Sequence, residues 1–191
     1  MSLWVGKVIN KNGVVFLDRD GTINVNRDNY VKSWDEFEFL PGAIEAIASI
    51  CAMGLKIIVV TNQSPIGRKI ISADEVDNIN RQMGNEIINH GGDIQDIYVC
   101  PHLPWVGCDC RKPKPGLLSR AANDYPIDLR HSFMVGDNIS DVNAGIAVKC
   151  QSILISSNNA FEAYPEKKPY KEVENLIEAV KHIEMQRKAM F

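Results

Sequence analysis

The stretch Phe16-Leu17-Asp18-Arg19-Asp20-Gly21-Thr22 decides how the rest of this chain is interpreted. It continues an apolar run that begins at Val14 and predicts a buried strand ending at Asp18. The residue types beyond that point favour a turn, so two carboxylates stand where strand becomes loop. An isolated Asp-x-Asp is most often turn chemistry. The longer pattern Asp-x-Asp-Gly-Thr after an apolar run is much more specific and indicates a functional site.

Short apolar runs alternate with helical patterns along the remaining sequence. Because the apolar runs are hydrophobic on both faces, the alternation predicts an α/β fold, a three-layer Rossmann-like parallel sheet with helices on both sides. We expect a single domain over residues 1–191, with a motif-bearing core at about 14–155. The further predicted strands are Leu55–Val60, Asp96–Val99, Phe133–Val135 and Ser152–Ile155, and the predicted helices are Ala43–Met53, Ser72–His90, Pro115–Asn123, Ser140–Val148 and Val173–Met185.

Polar residues follow directly on four of the predicted strands, namely Asp18, Thr61, Cys100 and Asp137. One polar residue after one strand is ordinary turn chemistry. In open parallel sheets, however, ligands bind at the carboxyl ends of the strands. The same pattern at four strands therefore predicts that these side chains share one site.

The two-aspartate loop resembles the first motif of the haloacid dehalogenase-like phosphatases. That resemblance and the chemistry of carboxylates imply the same roles. Asp18 would attack phosphorus as the nucleophile and bind Mg²⁺. Asp20 would protonate the leaving alcohol, then deprotonate water, and would reach the Mg²⁺ through its backbone carbonyl. Gly21 would let the chain turn there.

The later motifs of the same family are also matched. Thr61-Asn62-Gln63-Ser64 resembles the second motif, whose hydroxyl and amide groups bind phosphoryl oxygens, although such residues are also common in ordinary loops. Arg68, a few residues later, could reach an anion. Lys112 matches the third-motif lysine, which would neutralise the charge shared by Asp18 and the phosphoryl group. Arg111 matches a neighbouring phosphate-contacting arginine. Without the resemblance, these two cations would be a solvated basic turn.

The segment from Val135 to Asp141 resembles the fourth motif, Gly-Asp-x-x-x-Asp. Asp137 would complete the Mg²⁺ site with Asp18 and Asp20. Asp141, one helical turn later, would orient Lys112 or a metal-bound water. The same sequence is also an acidic helix N-terminus stabilised by the helix dipole, and both descriptions can hold together.

A second metal is indicated by Cys100, His102, Cys108 and Cys110, which fall within eleven residues. Three thiolates and one imidazole suit a structural, tetrahedral Zn²⁺. Buried free cysteines and a redox pair are the alternatives, and they explain the clustering less well. Arg111 and Lys112, the cations of the third motif, come immediately after Cys110. The Zn²⁺ would therefore position these two cations beside the phosphoryl site.

The loop 100–113 resembles a zinc-bearing, capless branch of the family, which includes heptose bisphosphate and histidinol-phosphate phosphatases. The gaps before and after Thr61 are too short for a cap domain. The stretch from Asn24 to Ser33 favours the heptose enzymes, whereas Pro65 and Asn138 depart from their usual Gly and Lys. The resemblance implies that the substrate is bound by Asn26, Arg27, Asp28, Asn29, Thr61, Asn62, Gln63, Ser64, Arg111, Lys112 and Asn138.

Composition limits the class of partner. The 191 residues carry 21 Lys and Arg against 24 Asp and Glu, a net charge of −3, with no basic block that would indicate nucleic-acid binding. No apolar run approaches the ~18 residues of a membrane span, and the first residues lack the apolar core of a signal peptide. We therefore expect a monomeric cytoplasmic enzyme.

The expected activity is a Mg²⁺-dependent phosphatase that removes the C7 phosphate of a heptose 1,7-bisphosphate through an aspartyl-phosphate. One alternative is a phosphatase that acts on a protein or a nucleic-acid end, although the net charge of −3 and the lack of a basic stripe argue against nucleic acid. Two further alternatives stay open. One is a histidinol-phosphate phosphatase, and the other is a binding module that Zn²⁺ stabilises and that has no catalytic activity. The complete set of Asp18, Asp20, Lys112 and Asp137 argues against such a binding module.

Overall fold

The computed structural model describes residues 13–156 and 168–189, which build one six-stranded sheet with helices packed on it. All neighbouring strands pair in parallel, in the order β3-β2-β1-β4-β5-β6. The predicted parallel α/β fold is therefore confirmed. The strands are β1 (Val14–Leu17), β2 (Lys56–Asn62), β3 (Asp96–Cys100), β4 (Phe133–Gly136), β5 (Gln151–Ile155) and β6 (Lys171–Val173).

In the part of the chain that the structure describes, six helices connect the strands or follow them, and three short 3-10 turns lie in the loops. The helices are α1 (Ala43–Ala52), α2 (Ser64–Gly67), α3 (Ala73–Asn89), α4 (Gly116–Asp124), α5 (Ile139–Ala147) and α6 (Leu176–Ala189). The 3-10 turns are Trp34–Glu36, Pro104–Val106 and Leu129–His131.

Within the described residues, two large apolar cores, one on each face, hold the helices to the sheet, and a smaller third cluster packs Val31 and Ile71 against α3. Successive side chains of a strand point to opposite faces, and β1 shows this directly. Val15 and Leu17 pack with α1, α3 and α6, whereas Val14 and Phe16 pack with α4 and α5. All four side chains are fully buried, as expected of a central strand covered on both faces.

The strand order places the functional motifs together. The chain leaves β1 to form β2 on one side and later returns to form β4 on the other side. A crevice opens where the order reverses, and ligands of open α/β sheets bind there. Asp18, Asp137 and the end of β2 all border this crevice.

The structure differs from the sequence prediction at the C-terminal end of the fold. Val173 was expected in the last helix but ends the edge strand β6, where it pairs with Ile155. The helix begins later because the Asn175 side chain accepts a hydrogen bond from the Glu178 amide and caps it. The four-residue helix α2 was not predicted. The first residues, where no signal peptide is expected, lie outside the described part of the chain.

The connections after β1 and β2 both lie within the described range 13–156. The first contains one 3-10 turn and α1, and the second contains α2 and α3, so neither of them forms a cap domain. None of the helices in the described ranges is both long and apolar enough to span a bilayer.

Candidate active site

A buried ammonium group lies at the centre of the crevice. Lys112 Nζ is 2.8 Å from Asp18 Oδ1, 2.6 Å from Asp141 Oδ1 and 2.7 Å from the Val60 carbonyl oxygen. These three acceptors account for all three of its protons. Burial disfavours the ammonium, but the two carboxylates outweigh it and hold the pKa of Lys112 above its usual range. The lysine is therefore a fixed positive charge.

The backbone of Lys112 is held by the last residue of β2. The Asn62 side chain accepts a hydrogen bond from the Lys112 amide at 3.1 Å and donates one to the Lys112 carbonyl at 3.2 Å. Asp141 is fixed from its own helix, because its Oδ2 accepts the Asn138 amide at 3.0 Å in a capping box. Both partners of the ion pair are thus placed by hydrogen bonds between a side chain and the backbone.

Three carboxylates converge beside this lysine. Asp18, Asp137 and Asp141 each offer an oxygen atom, and these atoms all lie within 4.8 Å of one another. Burial, with further contributions from neighbouring carboxylates, raises the pKa of Asp18 and of Asp137 to about 6. For Asp18 this holds despite the opposing effect of Lys112. A divalent cation would relieve the repulsion, and these oxygen ligands fit Mg²⁺.

Gly21 lets the two-aspartate loop approach this cluster. Its φ of +85° lies in the left-handed region, and a Cβ atom there would collide with the Asp137 carboxylate. The glycine of the motif therefore serves both the turn and the close approach of β1 and β4 at their carboxyl ends.

The Asp20 carboxylate points into a different network. It accepts hydrogen bonds from the Arg19 guanidinium at 3.0–3.2 Å, from Asn24 Nδ2 at 3.0 Å and from Gln63 Nε2 at 2.7 Å. Burial works against the charged form, but the Arg19 charge and these hydrogen bonds outweigh it. The pKa of Asp20 consequently lies below its usual range. Its carboxylate is not part of the three-carboxylate cluster, which leaves the backbone carbonyl as its predicted Mg²⁺ ligand.

The cysteine–histidine loop brings its four predicted ligands together. The sulfur atoms of Cys100, Cys108 and Cys110 are 3.2–3.7 Å apart, and His102 Nδ1 lies 3.1 Å from Cys110 Sγ and 3.6 Å from Cys100 Sγ. Tetrahedral Zn²⁺, with Zn–S bonds of about 2.3 Å, would separate its sulfur ligands by roughly 3.8 Å. The cluster therefore has the ligand types and nearly the spacing of a structural zinc site.

The crevice forms a cleft of about 380 Å³ that contains most of the predicted site. Within it, Thr61 is buried and its hydroxyl accepts a hydrogen bond from Gln63. Arg111 donates from Nη1 to the His102 carbonyl at 3.3 Å. The predicted residues that line the cleft are Asp18, Asp20, Asn26, Thr61, Asn62, Gln63, Ser64, Arg111, Lys112, Asp137 and Asn138.

Three residues predicted to bind substrate lie elsewhere in this structure. Arg27, Asp28 and Asn29 are exposed and do not line the cleft. Arg27 instead approaches Glu38 at 3.9 Å. The loop turns away after Asn26, the one member of the predicted stretch 26–29 that faces the cleft.

Other lining residues were not among the predicted site residues: Tyr30, Val31, Arg68, Pro104, Ser140 and Asp141. Among these, Arg68 follows the four-residue helix α2, and its guanidinium carbon lies 5.4 Å from the ring centre of Trp105 in the zinc loop. Asp141 was expected only to orient its neighbours. The position of Arg68 shortly after the second motif is what indicated in the sequence that this residue could reach an anion, and it does line the cleft.

Lys112→Met provides a test of the central ion pair. Removing the ammonium leaves Asp18 and Asp141 buried without their cation, which should lower the free energy of unfolding by about 3–5 kcal/mol. Denaturant unfolding without added divalent cations measures this value. Lys114→Met is the matched control, because Lys114 pairs with Asp109 in solvent at 3.0 Å and should contribute less than about 1 kcal/mol. Equal small losses in both variants would contradict a fixed buried charge.

Comparison with known proteins agrees with this geometry. A HAD-hydrolase-like family model matches residues 109–179. The D-glycero-beta-D-manno-heptose-1,7-bisphosphate 7-phosphatase of Pseudomonas aeruginosa is 40% identical over 144 residues, covering 75% of this chain and 81% of that protein. The enzyme of the same name from Escherichia coli strain K12 is 41% identical over 140 residues, covering 70% and 73%.

A solved structure gives the same result in three dimensions. The crystal structure of D,D-heptose 1,7-bisphosphate phosphatase from B. bronchiseptica, complexed with magnesium and phosphate, superposes with a TM-score of 0.83. Its sequence is 30% identical, and the match covers 91% of this chain and 99% of that one. The chain therefore belongs to the haloacid dehalogenase-like hydrolases, within the family of the heptose bisphosphate phosphatases.

Proposed function

We propose that this chain is a Mg²⁺-dependent phosphatase that hydrolyses the C7 phosphate of D-glycero-D-manno-heptose 1,7-bisphosphate through an aspartyl-phosphate on Asp18. The observation that carries the proposal is the position of the Asp18 carboxylate. Its side chain stays 14% exposed at the floor of the cleft, between the fixed ammonium of Lys112 and the cluster with Asp137. Family membership supports the same activity, and it favours the heptose substrate over histidinol phosphate.

The reaction follows from what each side chain can do. Mg²⁺, held by Asp18, Asp137 and the Asp20 carbonyl, would supply charge neutralisation between the two anions that must meet. An Asp18 oxygen forms a bond to phosphorus while the bond from phosphorus to the C7 oxygen breaks. Asp20, which is ionised in the substrate-free cleft, takes up a proton when the phosphate anion enters beside it, and the leaving oxygen then takes that proton. Water then attacks the phosphoenzyme, returns a proton to Asp20 and releases phosphate and free Asp18. The Lys112 ammonium offsets the negative charge on Asp18 throughout.

One polypeptide supplies the whole cleft and both metal clusters. This supports a monomer as the functional unit. The cleft is open and mostly polar, which suits a small phosphorylated sugar whose hydroxyls need hydrogen-bond partners.

The substrate proposal is tested by kcat/KM for four compounds: the two anomers of the heptose 1,7-bisphosphate, fructose 1,6-bisphosphate and histidinol phosphate. We expect one heptose anomer to be preferred over both non-heptose compounds by at least about tenfold. Asp18→Asn should lose at least about a thousandfold in kcat, whereas Asp109→Asn, an exposed control, should keep it. A preference for histidinol phosphate would overturn the substrate, and turnover by Asp18→Asn would overturn the mechanism.

We also propose that Cys100, His102, Cys108 and Cys110 bind one structural Zn²⁺. The four converging ligand atoms support this, and so does the link from the loop to the site. The carbonyl of His102 accepts the Arg111 guanidinium, so a fixed His102 also fixes Arg111. Lys112 is held independently by Asn62. The Zn²⁺ therefore acts on the cleft mainly through Arg111.

Elemental analysis of dialysed protein should find about one Zn²⁺ per chain, and Cys108→Ser should lower that content. Because Arg111 is displaced while Lys112 is retained, KM for the bisphosphate should rise by more than kcat falls. Cys51→Ser is the matched control, since Cys51 lies outside the cluster and contacts Asp93 instead. Zinc-free protein with unchanged KM would show that the loop needs no metal.

Arg68 is the second cation that we propose for the distal phosphate, together with Arg111. Lys112 has no proton left for it, and Asn138 carries no charge. The Asn138 side chain also accepts the Ser140 amide at 2.9 Å as a helix cap. Arg68 lines the cleft above Trp105, and no carboxylate within the described residues forms an ion pair with it.

Arg68→Ala should lower kcat/KM for the bisphosphate by about 10–100-fold, the value of a charge-assisted hydrogen bond. The heptose 7-phosphate, which lacks the distal group, should be affected far less. Arg120→Ala is the matched control, because Arg120 also stacks on an aromatic ring, that of Tyr98 at 5.6 Å, but does not line the cleft. Equal losses for both substrates would exclude a role at the distal phosphate.

A further inference from the structure

A buried asparagine on α3 is linked to the two-aspartate loop. Asn80 is 5% exposed and lies on the helix face that buries Val76, Ile79 and Met83. A polar side chain in such a position needs a hydrogen-bond partner. Its Oδ1 accepts a hydrogen bond from Arg19 Nη1 at 3.0 Å, across a separation of 61 residues in sequence.

Arg19 is itself 1% exposed, which is unusual for arginine, and its guanidinium is shared between two acceptors. Nε and Nη2 face the Asp20 carboxylate at 3.0–3.2 Å, and Nη1 faces Asn80. The guanidinium is a rigid plane, so fixing one edge fixes the direction of the other. The orientation of the Asp20 carboxylate is thereby tied to α3.

We propose that Asn80 is a positioning residue, which acts through Arg19 to hold the Asp20 carboxylate in the orientation for proton transfer. The proposal rests on the proposed function, in which Asp20 is the acid and base. Gln63 and Asn24 contact the same carboxylate from the end of β2 and from the loop after β1. Asn80 supplies the anchor from α3 and touches neither substrate nor Asp20.

Without the Asn80 oxygen, one guanidinium N–H is buried and unpaired. Arg19 must then turn toward another acceptor, and its two-point contact with Asp20 is distorted. A proton donor displaced by less than an ångström transfers its proton poorly. The effect falls on the chemical step that needs the proton. Removing the Asn80 oxygen should therefore slow that step selectively, which a simple loss of packing would not do.

This selective effect can be measured as a dependence of the reaction rate on the leaving group. A sugar alkoxide is a poor leaving group and must be protonated as it departs, whereas 4-nitrophenolate leaves without a proton. The quantity kcat/KM includes the steps up to phosphoryl transfer to Asp18. The ratio of kcat/KM for the heptose bisphosphate to that for 4-nitrophenyl phosphate therefore reports how well Asp20 is positioned.

The experiment compares this ratio in the full chain and three variants. Asn80→Ala should lower the ratio about tenfold or more, and Asn80→Asp, which keeps the acceptor oxygen, should restore it to within about threefold of the starting value. Asn78→Ala is the matched control. Asn78 lies on the same helix, and among the described residues its side chain bonds only to the nearby Glu75 and Arg81. It should leave the ratio unchanged.

An unchanged ratio in Asn80→Ala, or equal losses on both substrates, would overturn the proposal and leave Asn80 as a structural residue. If Asn80→Ala does not fold, Asn80→Leu makes the same test, because leucine has a similar branched shape and offers Arg19 Nη1 no acceptor. Its ratio should fall similarly, and an unchanged ratio there also overturns the proposal. Absence of turnover in the unmodified chain would instead overturn the proposed function.

Discussion

The ion pair between Lys112 and two buried carboxylates is the interaction on which the rest of the site depends. It joins the carboxyl end of β1, through Asp18, to the start of α5, through Asp141. The third acceptor, the Val60 carbonyl, belongs to β2. A buried ammonium is costly unless it is paired on every side. The ends of these strands and the beginning of α5 must therefore be in register for the lysine to be accommodated.

An excess of negative charge explains the other features of the crevice. Asp18, Asp137 and Asp141 lie close together, and one lysine does not neutralise them. The raised pKa of Asp18 and of Asp137 expresses this imbalance, which a divalent cation would relieve. Asp20 escapes it because Arg19 provides a separate positive partner. The two aspartates of one motif thus have opposite electrostatic environments, and a cation bound beside Asp18 would favour the ionised form that a nucleophile needs.

Much of this arrangement could be predicted from sequence because it depends on local patterns. Asp18, Thr61 and Asp137 follow apolar strands, and parallel strands bring their carboxyl ends together. The edge strand β6 was missed because a strand of three residues is too short to show a hydrophobic periodicity. The path of the loop after Asn26 was missed because loops follow tertiary contacts. Asn80 gave no signal at all, since an asparagine on an amphipathic helix is common and its partner is 61 residues away.

The paired hydrogen bonds between Asn62 and the backbone of Lys112 have a consequence for how this enzyme family can diversify. Asn62 is the last residue of β2, and its carboxamide pairs with the Lys112 backbone as a peptide group of a neighbouring strand would. The hydrogen-bond pattern of the strand is thereby extended by one more pair. The position of Lys112 is therefore set by the sheet and not by the preceding loop. Insertions or deletions between Cys100 and Cys110 can then reshape the rim of the cleft while the lysine stays in register. Recognition of the sugar and the chemistry at phosphorus then depend on separate parts of the chain, which can vary independently.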